Sequence, residues 1–156
     1  MVTTPLERWF PRLATTGYRI TSPRTFQYNC VAWAVADTAR WWEPGRGLQH
    51  YYWPPELPRD HTLATYIQIF TASGYVPCAN ADLVPGLEKL AIFVDSDGDP
   101  AHVARQLPSG AWTSKLGEWE DIEHPALTAL EGEIYGTVTQ ILQRPRPDMD
   151  PPQQGA

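Results

Sequence analysis

The segment from Lys89 to Leu116 restricts the fold most strongly, because it carries three strand patterns separated by two turns. "KLAIFVD" is short and almost wholly apolar, which is typical of a strand buried on both faces. "AHVARQL" and "AWTSKL" alternate between apolar and polar side chains, and the turn sequences "SDGDP" and "PSG" divide the segment. The sequence therefore predicts a three-stranded antiparallel meander over residues 89–116 and a further strand in "GTVTQILQR".

Two helices are predicted before the meander. Asn29 is a suitable N-cap, and the strong helix formers of "CVAWAVADTARWW" follow it. Asp60 or Thr62 can cap a second helix in "TLATYIQIFTASG", which ends at Gly74. Residues 1–24 show no regular pattern and are predicted to be mostly irregular. Helices followed by antiparallel strands predict an α+β fold, with the N-terminal helices packed on one side of the sheet.

Length and composition indicate one domain. At 156 residues the chain is large enough to bury its own core. Residues 1–144 are predicted to form this domain, and the Pro-rich residues 145–156 a disordered tail. The 16 prolines and 7 tryptophans indicate long loops anchored by aromatic side chains. The segment "WWEPGRGLQHYYWPPELP" would either form an aromatic-walled substrate cleft beside Cys30 or simply pack against the core.

Charge and hydrophobicity limit the expected partners. A net charge of -6 without a basic cluster argues against nucleic-acid binding. No apolar run reaches the roughly 20 residues of a membrane-spanning helix, and the first residues do not resemble a secretory signal. We therefore expect no membrane association and a cytoplasmic location, with export by another route left open. Two cysteines without a Cys/His metal pattern predict no metal or cofactor.

Cys30 raises the main functional question, because it directly follows the predicted N-cap Asn29. The first amides of a helix lack intrahelical acceptors and favour a thiolate, so Cys30 is a candidate nucleophile whose own N–H would support an oxyanion. Gln27 or Asn29 would add a side-chain donor. The competing interpretation is a small buried core residue, which is the commonest role of a cysteine in a helix.

A thiol nucleophile needs a base, and His102 is the histidine on a predicted strand. Alternation places it on the same strand face as Ala104, whose small side chain leaves room for a helix end. The neighbouring antiparallel strand offers Ser114 or Lys115 as a partner that orients the imidazole. Asp121 is a more acidic candidate in a segment of unassigned structure. A histidine with only structural hydrogen bonds is the competing interpretation.

The blocks "YNCVAWA" and "AHVARQLPSGAWTSKLG" resemble the papain-like superfamily, in its compact branch of bacterial cell-wall peptidases and cysteine–histidine amidohydrolases. The resemblance is more specific to a small bacterial family with the blocks "NC.AWA", "H.ARQ" and "W.SKLG…DI.H", and it spans about residues 26–143. In that branch a cysteine begins a helix, and a later strand carries the histidine. A polar residue on the next strand orients that histidine. The resemblance implies Cys30 as nucleophile, His102 as base and Ser114 at the orienting position.

Ser114 departs from the pattern of that branch, which more often has histidine, asparagine, aspartate or glutamate at this position. A hydroxyl orients an imidazole less strongly, so Gln106 and Asp121 stay open as alternatives. The resemblance implies a papain-like domain that hydrolyses an amide or peptide bond of a peptide or protein, as a peptidase, amidase or deamidase. The alternative is a catalytically inactive domain of the same fold that binds a protein, as an accessory or immunity-like module.

The other histidines and the second cysteine receive structural interpretations. His61 and His124 are predicted to be surface or capping groups, and His50 a solvated or packing residue. Cys78 is predicted to play no part in the chemistry. Lys115 is predicted to be an exposed strand residue or an ion-pair partner of Asp121.

Overall fold

The computed structural model describes residues 4–44 and 51–147. Two short helices, α1 (Pro5–Trp9) and α2 (Leu13–Thr16), come first. Thr4 caps α1 by accepting a hydrogen bond from the Glu7 amide. The prediction of an irregular N-terminal segment is wrong for these residues, because helices of one turn are too short to show a 3.6-residue period.

The two predicted helices form as α3 (Cys30–Ala34) and α4 (Leu63–Ala72). Asn29 and Thr62 are their N-caps, and each accepts a hydrogen bond from the amide three residues later. Gly74 has a φ of 99° just after α4, as expected for the residue that ends a helix. The predicted position of α4 is confirmed.

Helix α3 is much shorter than its sequence predicts. The run of helix formers continues beyond Ala34, but Ala36 adopts a φ of 63°, which no α-helix tolerates. Asp37 then accepts a hydrogen bond from the Ala39 amide at 2.8 Å and another from Trp42 Nε1 at 2.8 Å. These side-chain hydrogen bonds compete with helical ones and turn the chain.

Seven strands follow: β1 (Arg19–Ser22), β2 (Val76–Cys78), β3 (Leu87–Val94), β4 (Pro100–Gln106), β5 (Trp112–Lys115), β6 (Asp121–His124) and β7 (Thr137–Pro145). They form one sheet in the order β1-β6-β5-β4-β3-β7-β2, and every neighbouring pair is antiparallel. The predicted meander is confirmed as β3, β4 and β5, and the further strand as β7. A 3-10 helix at Leu127–Leu130 lies between β6 and β7.

The sheet is covered on both faces. Helices α3 and α4 pack on the face that carries Ile92 and Val103, and α1, α2 and the 3-10 helix pack on the face that carries Phe93 and Ala104. Strand β3 is buried on both faces, which explains its continuous apolar run. The fold is therefore mixed α and β with an antiparallel sheet, and the expectation that the helices gather on one side is wrong.

The end of the predicted domain lies slightly too early. Strand β7 runs to Pro145, and the Arg146 amide donates to the Gly86 carbonyl at 2.7 Å. The predicted tail from residue 148 onward lies outside the described residues, as does His50. In the described part of the chain, no helix combines the length and the apolar character needed to cross a membrane.

Candidate functional site

Cys30 stands at the first position of α3, where this helix meets the sheet. Its sulfur lies beside the backbone of Val103 in β4, the residue that follows His102. Helix α3 packs against β4 and β5, and Trp33 Nε1 donates to Thr113 Oγ1 at 3.0 Å. The thiol therefore lies next to the strand that carries the predicted base.

Asn29 holds the start of α3 to the loop that follows the helix. Its Oδ1 accepts from the amides of Ala32 and Trp42 at 3.2 Å each, and its Nδ2 donates to the Trp42 carbonyl at 2.6 Å. The predicted N-cap is confirmed. A buried amide with these partners is a positioning group rather than the oxyanion donor that the sequence suggested, so Gln27, which is exposed, is the better placed of the two.

A chain of three buried polar side chains crosses β4, β5 and β6. His102 Nε2 lies 2.9 Å from Ser114 Oγ, and the same oxygen lies 2.8 Å from His124 Nε2. His124 Nδ1 lies 3.0 Å from the Ala126 carbonyl. All three side chains are almost completely inaccessible to solvent. The predicted pairing of His102 with Ser114 is present, and we call this group the His–Ser–His chain.

The ring of His102 is packed between aromatic side chains. It stacks on Tyr135 with centroids 4.3 Å apart and an interplanar angle of 2°, and Phe93 approaches it edge-on at 5.3 Å. Its Nδ1 is buried and has no hydrogen-bond partner among the described residues. The thiol of Cys30 and this imidazole lie on opposite faces of β4: Cys30 packs on the face that carries Val103, whereas His102 lies on the face that carries Phe93 and Ala104. The expectation that the helix end would approach the strand face shared by His102 and Ala104 is therefore wrong.

Both reactive groups are neutral near physiological pH. Burial raises the pKa of the Cys30 thiol to about 11, and the charge of Glu43 acts in the same direction. The backbones of Val103 and Val31 oppose this shift without overcoming it. Burial, followed by the neighbouring His124, lowers the pKa of His102 well below its ordinary value. A helix of only five residues adds too little field to reverse the effect of burial.

The other candidates for the orienting position are bonded elsewhere. Asp121 accepts from the Tyr28 hydroxyl at 2.6 Å, and Gln106 Nε2 donates to the Ala81 carbonyl at 3.1 Å. Ser114 is therefore the group that holds His102, although it is the weakest hydrogen-bonding type of the three.

An aromatic groove of about 500 Å³ includes in its lining Tyr135, whose ring stacks on His102. The loops that precede α3 and follow it contribute Phe26, Trp41 and Tyr51, and Phe26 is 68% exposed. A smaller hollow shares these three residues and adds Gln27. The whole lining of the groove is Trp9, Phe10, Phe26, Trp41, Tyr51, Leu116, Gly117, Glu118, Trp119, Ile134 and Tyr135. The described part of the Pro-rich loop thus does contribute to an aromatic wall.

The chain matches a known protein family. Residues 19–143 match the model of a family described as a domain of unknown function, DUF7689. The chain belongs to the DUF7689 family. The DUF7689 match runs from β1 to β7 and includes Cys30 and the whole His–Ser–His chain, whereas α1 and α2 precede it. No curated protein and no solved structure matches the chain significantly.

Two residues of the DUF7689 site differ from their sequence interpretations. His124 was expected at the surface or as a cap, but it is fully buried and bonded to Ser114. Lys115 was expected to be exposed or paired with Asp121, but it is fully buried and donates to three carbonyl oxygens. The pattern "DIEH" alternates, and pairing it with "WTSK" across the intervening turn would have placed His124 near Ser114.

Acidification is expected to destabilise the DUF7689 domain through its buried histidines. Burial lowers the pKa of both His102 and His124, so the unfolded chain takes up protons first as the pH falls below about 6.5. Each histidine should then reduce the free energy of unfolding by about 1.4 kcal/mol per pH unit, until it protonates in the folded state. Urea unfolding at about pH 7.5 and about pH 5.5 measures this loss.

A substitution at His124 tests whether the buried histidines, rather than other titrating groups, cause the loss of stability at low pH. Burial raises the pKa of Asp121, so this carboxyl group acts in the opposite direction. His124→Gln removes one titrating imidazole and leaves Asp121 in place, and the pH-dependent loss should shrink by roughly half. An unchanged pH dependence in this variant would show that His124 does not contribute.

Proposed function

We propose that this DUF7689 protein is a cysteine-dependent hydrolase of papain-like fold that cleaves an amide or peptide bond. Cys30 would be the nucleophile and His102 the base. The observation that carries the proposal is the position of Cys30 at the start of α3, beside the β4 backbone next to His102. The unpaired Nδ1 of His102, with Nε2 held by Ser114, supports the assignment of the base.

The proposed reaction starts from a neutral thiol and a neutral imidazole. Cys30 Sγ attacks the carbonyl carbon while the thiol proton passes to His102 Nδ1. The tetrahedral intermediate then loses its amine, which takes that proton, and leaves an acyl-enzyme. The same nitrogen next removes a proton from water, which attacks the acyl carbon. The C–S bond then breaks, the acid leaves, and the proton returns from His102 to the Cys30 sulfur. Because Cys30 and His102 lie on opposite faces of β4 in the unliganded structure, this proton transfer requires a rearrangement of β4 that brings both side chains to one face when the substrate binds.

Backbone amides at the start of α3 would stabilise the oxyanion. The Cys30 amide has no acceptor within its own helix, because the first turn provides none. Gln27 is exposed and lines the hollow beside the groove, so its side-chain amide would add a second donor. Asn29 would contribute only by fixing the start of the helix.

The aromatic groove is the proposed site for the side chain next to the cleaved bond. Its walls are mainly aromatic, and one of them, Tyr135, stacks on the ring of His102. Stacking and burial of apolar surface would favour a large apolar or aromatic side chain there. The net charge of -6 favours neutral or basic substrates over polyanions.

A catalytically inactive domain that binds a protein partner is the second candidate. Two observations favour it: burial raises the pKa of Cys30 to about 11, and the groove exposes aromatic side chains such as Phe26. Exposed apolar patches of this kind often mark surfaces that bind proteins. In this case Cys30 and His102 would serve only packing.

Alkylation of Cys30 by iodoacetamide separates these two functions. A thiol with a pKa of about 11 that reacts without help has only about one part in ten thousand as thiolate near neutral pH. If His102 acts as base, Cys30 should react faster than this, and His102→Gln should slow its alkylation by about 100-fold. Peptide mapping by mass spectrometry gives the rate at Cys30 over a range of pH.

The Cys78→Ala background removes the other thiol from this measurement. In a separate control that retains Cys78, faster alkylation of Cys78 in His102→Gln than in the unsubstituted protein would reveal a general loss of structure. The hydrolase proposal fails if alkylation of Cys30 simply rises towards pH 11 and is the same with and without His102. That result would favour the binding domain. Dependence on His102 would justify a screen of peptide amides with aromatic side chains, with Cys30→Ala as the inactive control.

A further inference from the structure

A backbone carbonyl fixes the direction of the hydrogen bonds in the His–Ser–His chain. The Ala126 oxygen can only accept, so His124 Nδ1, which lies 3.0 Å away, must carry hydrogen. A neutral imidazole has hydrogen on one of its two nitrogens. His124 Nε2 is therefore a pure acceptor.

The hydroxyl group of Ser114 lies between the two rings, so the hydrogen position on His124 determines the hydrogen position on His102. Ser114 has a single hydrogen, which must go to His124 Nε2 at 2.8 Å, since that nitrogen has none to give. The Ser114 oxygen then accepts from His102 Nε2 at 2.9 Å. His102 consequently carries its hydrogen on Nε2 and a free lone pair on Nδ1, the nitrogen that has no partner among the described residues.

We propose that His124 is a positioning residue that, through Ser114, fixes the tautomer of His102 and makes Nδ1 its basic nitrogen. Serine alone would not do this, because its hydroxyl rotates and either donates or accepts. With His124 beside it, Ser114 acts only as an acceptor towards His102. This explains how a serine can serve at a position where a carboxylate or amide would be expected to hold the imidazole.

These hydrogen positions require both imidazoles to be neutral, and the surroundings of the two rings keep them neutral near neutral pH. Burial lowers the pKa of both rings. The neighbouring Glu123 and the Ala126 carbonyl favour the charged form of His124, but burial outweighs them. The His102 ring faces Tyr135 and Phe93, which carry no charge near neutral pH.

Nitrogen-15 NMR of the whole protein tests the tautomers directly. With ¹⁵N-labelled histidine, long-range proton–nitrogen correlation spectra distinguish a protonated ring nitrogen from a bare one. We expect hydrogen on Nε2 of His102 and on Nδ1 of His124. The opposite tautomer on either ring in the wild-type protein overturns the inference, and this measurement needs no variant.

Two substitutions at position 124 test whether His124 is the cause. His124→Leu removes the acceptor, which frees the Ser114 hydroxyl to donate to His102 Nε2 and should move the His102 hydrogen mostly to Nδ1. His124→Gln supplies an amide oxygen in its place and should retain the wild-type tautomer. An unchanged His102 tautomer in folded His124→Leu would show that His124 does not set it. Should that variant not fold, Ser114→Ala should give a mixture of the two tautomers.

The catalytic meaning of this inference rests on the proposed function, whereas the tautomer itself does not. If NMR shows the expected tautomers but the alkylation rate of Cys30 is the same with and without His102, the positioning role of His124 stands and the hydrolase proposal is refuted. The reverse tautomer together with alkylation that depends on His102 would refute the role of His124 alone. The two failures are thus distinguishable.

Discussion

Replacing Lys115 by methionine is expected to lower the free energy of unfolding by about 3 to 5 kcal/mol. Lys115 is fully buried, and its Nζ donates to the carbonyls of Thr25 at 3.0 Å, Trp119 at 2.6 Å and Gly117. Methionine has a similar length but no donor, so three partly buried carbonyl groups lose their partner. Asp121, the neighbour of Lys115 across the β5–β6 pair, loses a nearby opposite charge. Urea unfolding followed by tryptophan fluorescence measures the loss.

Lys89 offers a matched control for this substitution. It is equally inaccessible, at 2% exposed, but its Nζ donates, within residues 4–44 and 51–147, to the backbone and side-chain oxygens of Asn80 alone. Lys89→Met should therefore cost about 1 to 3 kcal/mol, clearly less than Lys115→Met. Equal losses for both variants would contradict the idea that the number of satisfied carbonyls determines the effect.

Gly136→Ala is expected to destabilise the domain by at least about 3 kcal/mol. A Cβ at this position would lie 1.9 Å from the Val94 carbonyl oxygen and 2.7 Å from Asp95 Cα, both of which are backbone atoms. The φ of 74° adds the strain of a left-handed conformation. Since these atoms belong to the end of β3, relief requires the start of β7 to move. Tyr135, the residue before Gly136, should then lose its stacking on His102.

Gly98→Ala is the control that distinguishes the two causes of the loss expected for Gly136→Ala, the steric clash and the backbone strain. Gly98 has a similar φ of 86°, but a Cβ there would meet nothing within 4 Å. Its replacement should cost about 1 to 2 kcal/mol, which is the cost of the left-handed conformation alone. Urea denaturation of both variants gives the comparison, and near-ultraviolet circular dichroism reports the tyrosine and tryptophan packing. Similar losses at the two positions would mean that β7 accommodates the extra methyl group easily.

The sequence predicts the elements whose pattern is long and undisturbed. Strands β3 and β4 have clear periods bounded by turns, and α4 has a cap and a terminal glycine, so all three form where expected. The predicted length of α3 is wrong because helix propensity is a weak preference, and the hydrogen bonds of Asp37 outweigh it. Strands β1, β2 and β6 have three or four residues each, too few for alternation to stand out.

The sequence also predicts some residues of the candidate site correctly and others wrongly. Counting back from the "PSG" turn places Ser114 near His102, because a short hairpin fixes its own register. His124 could not be placed without β6, because the segment that contains Asp121 and His124 had no assigned structure. Lys115 was misjudged because buried lysines are rare and are recognised only by the carbonyl groups that surround them. The pKa of Cys30 depends on burial, which a sequence pattern does not reveal.

The strand order separates contacts that form early in folding from contacts that must form late. Strands β3 to β6 follow one another through short turns, so their pairing closes small loops at little entropic cost. Strand β1 instead joins the sheet through Ile20, which pairs with Ile122 near the other end of the chain. Contacts so distant in sequence are slow to form. We therefore expect folding to assemble the two imidazoles and the hydroxyl between them first, and to pair β1 with β6 only afterwards.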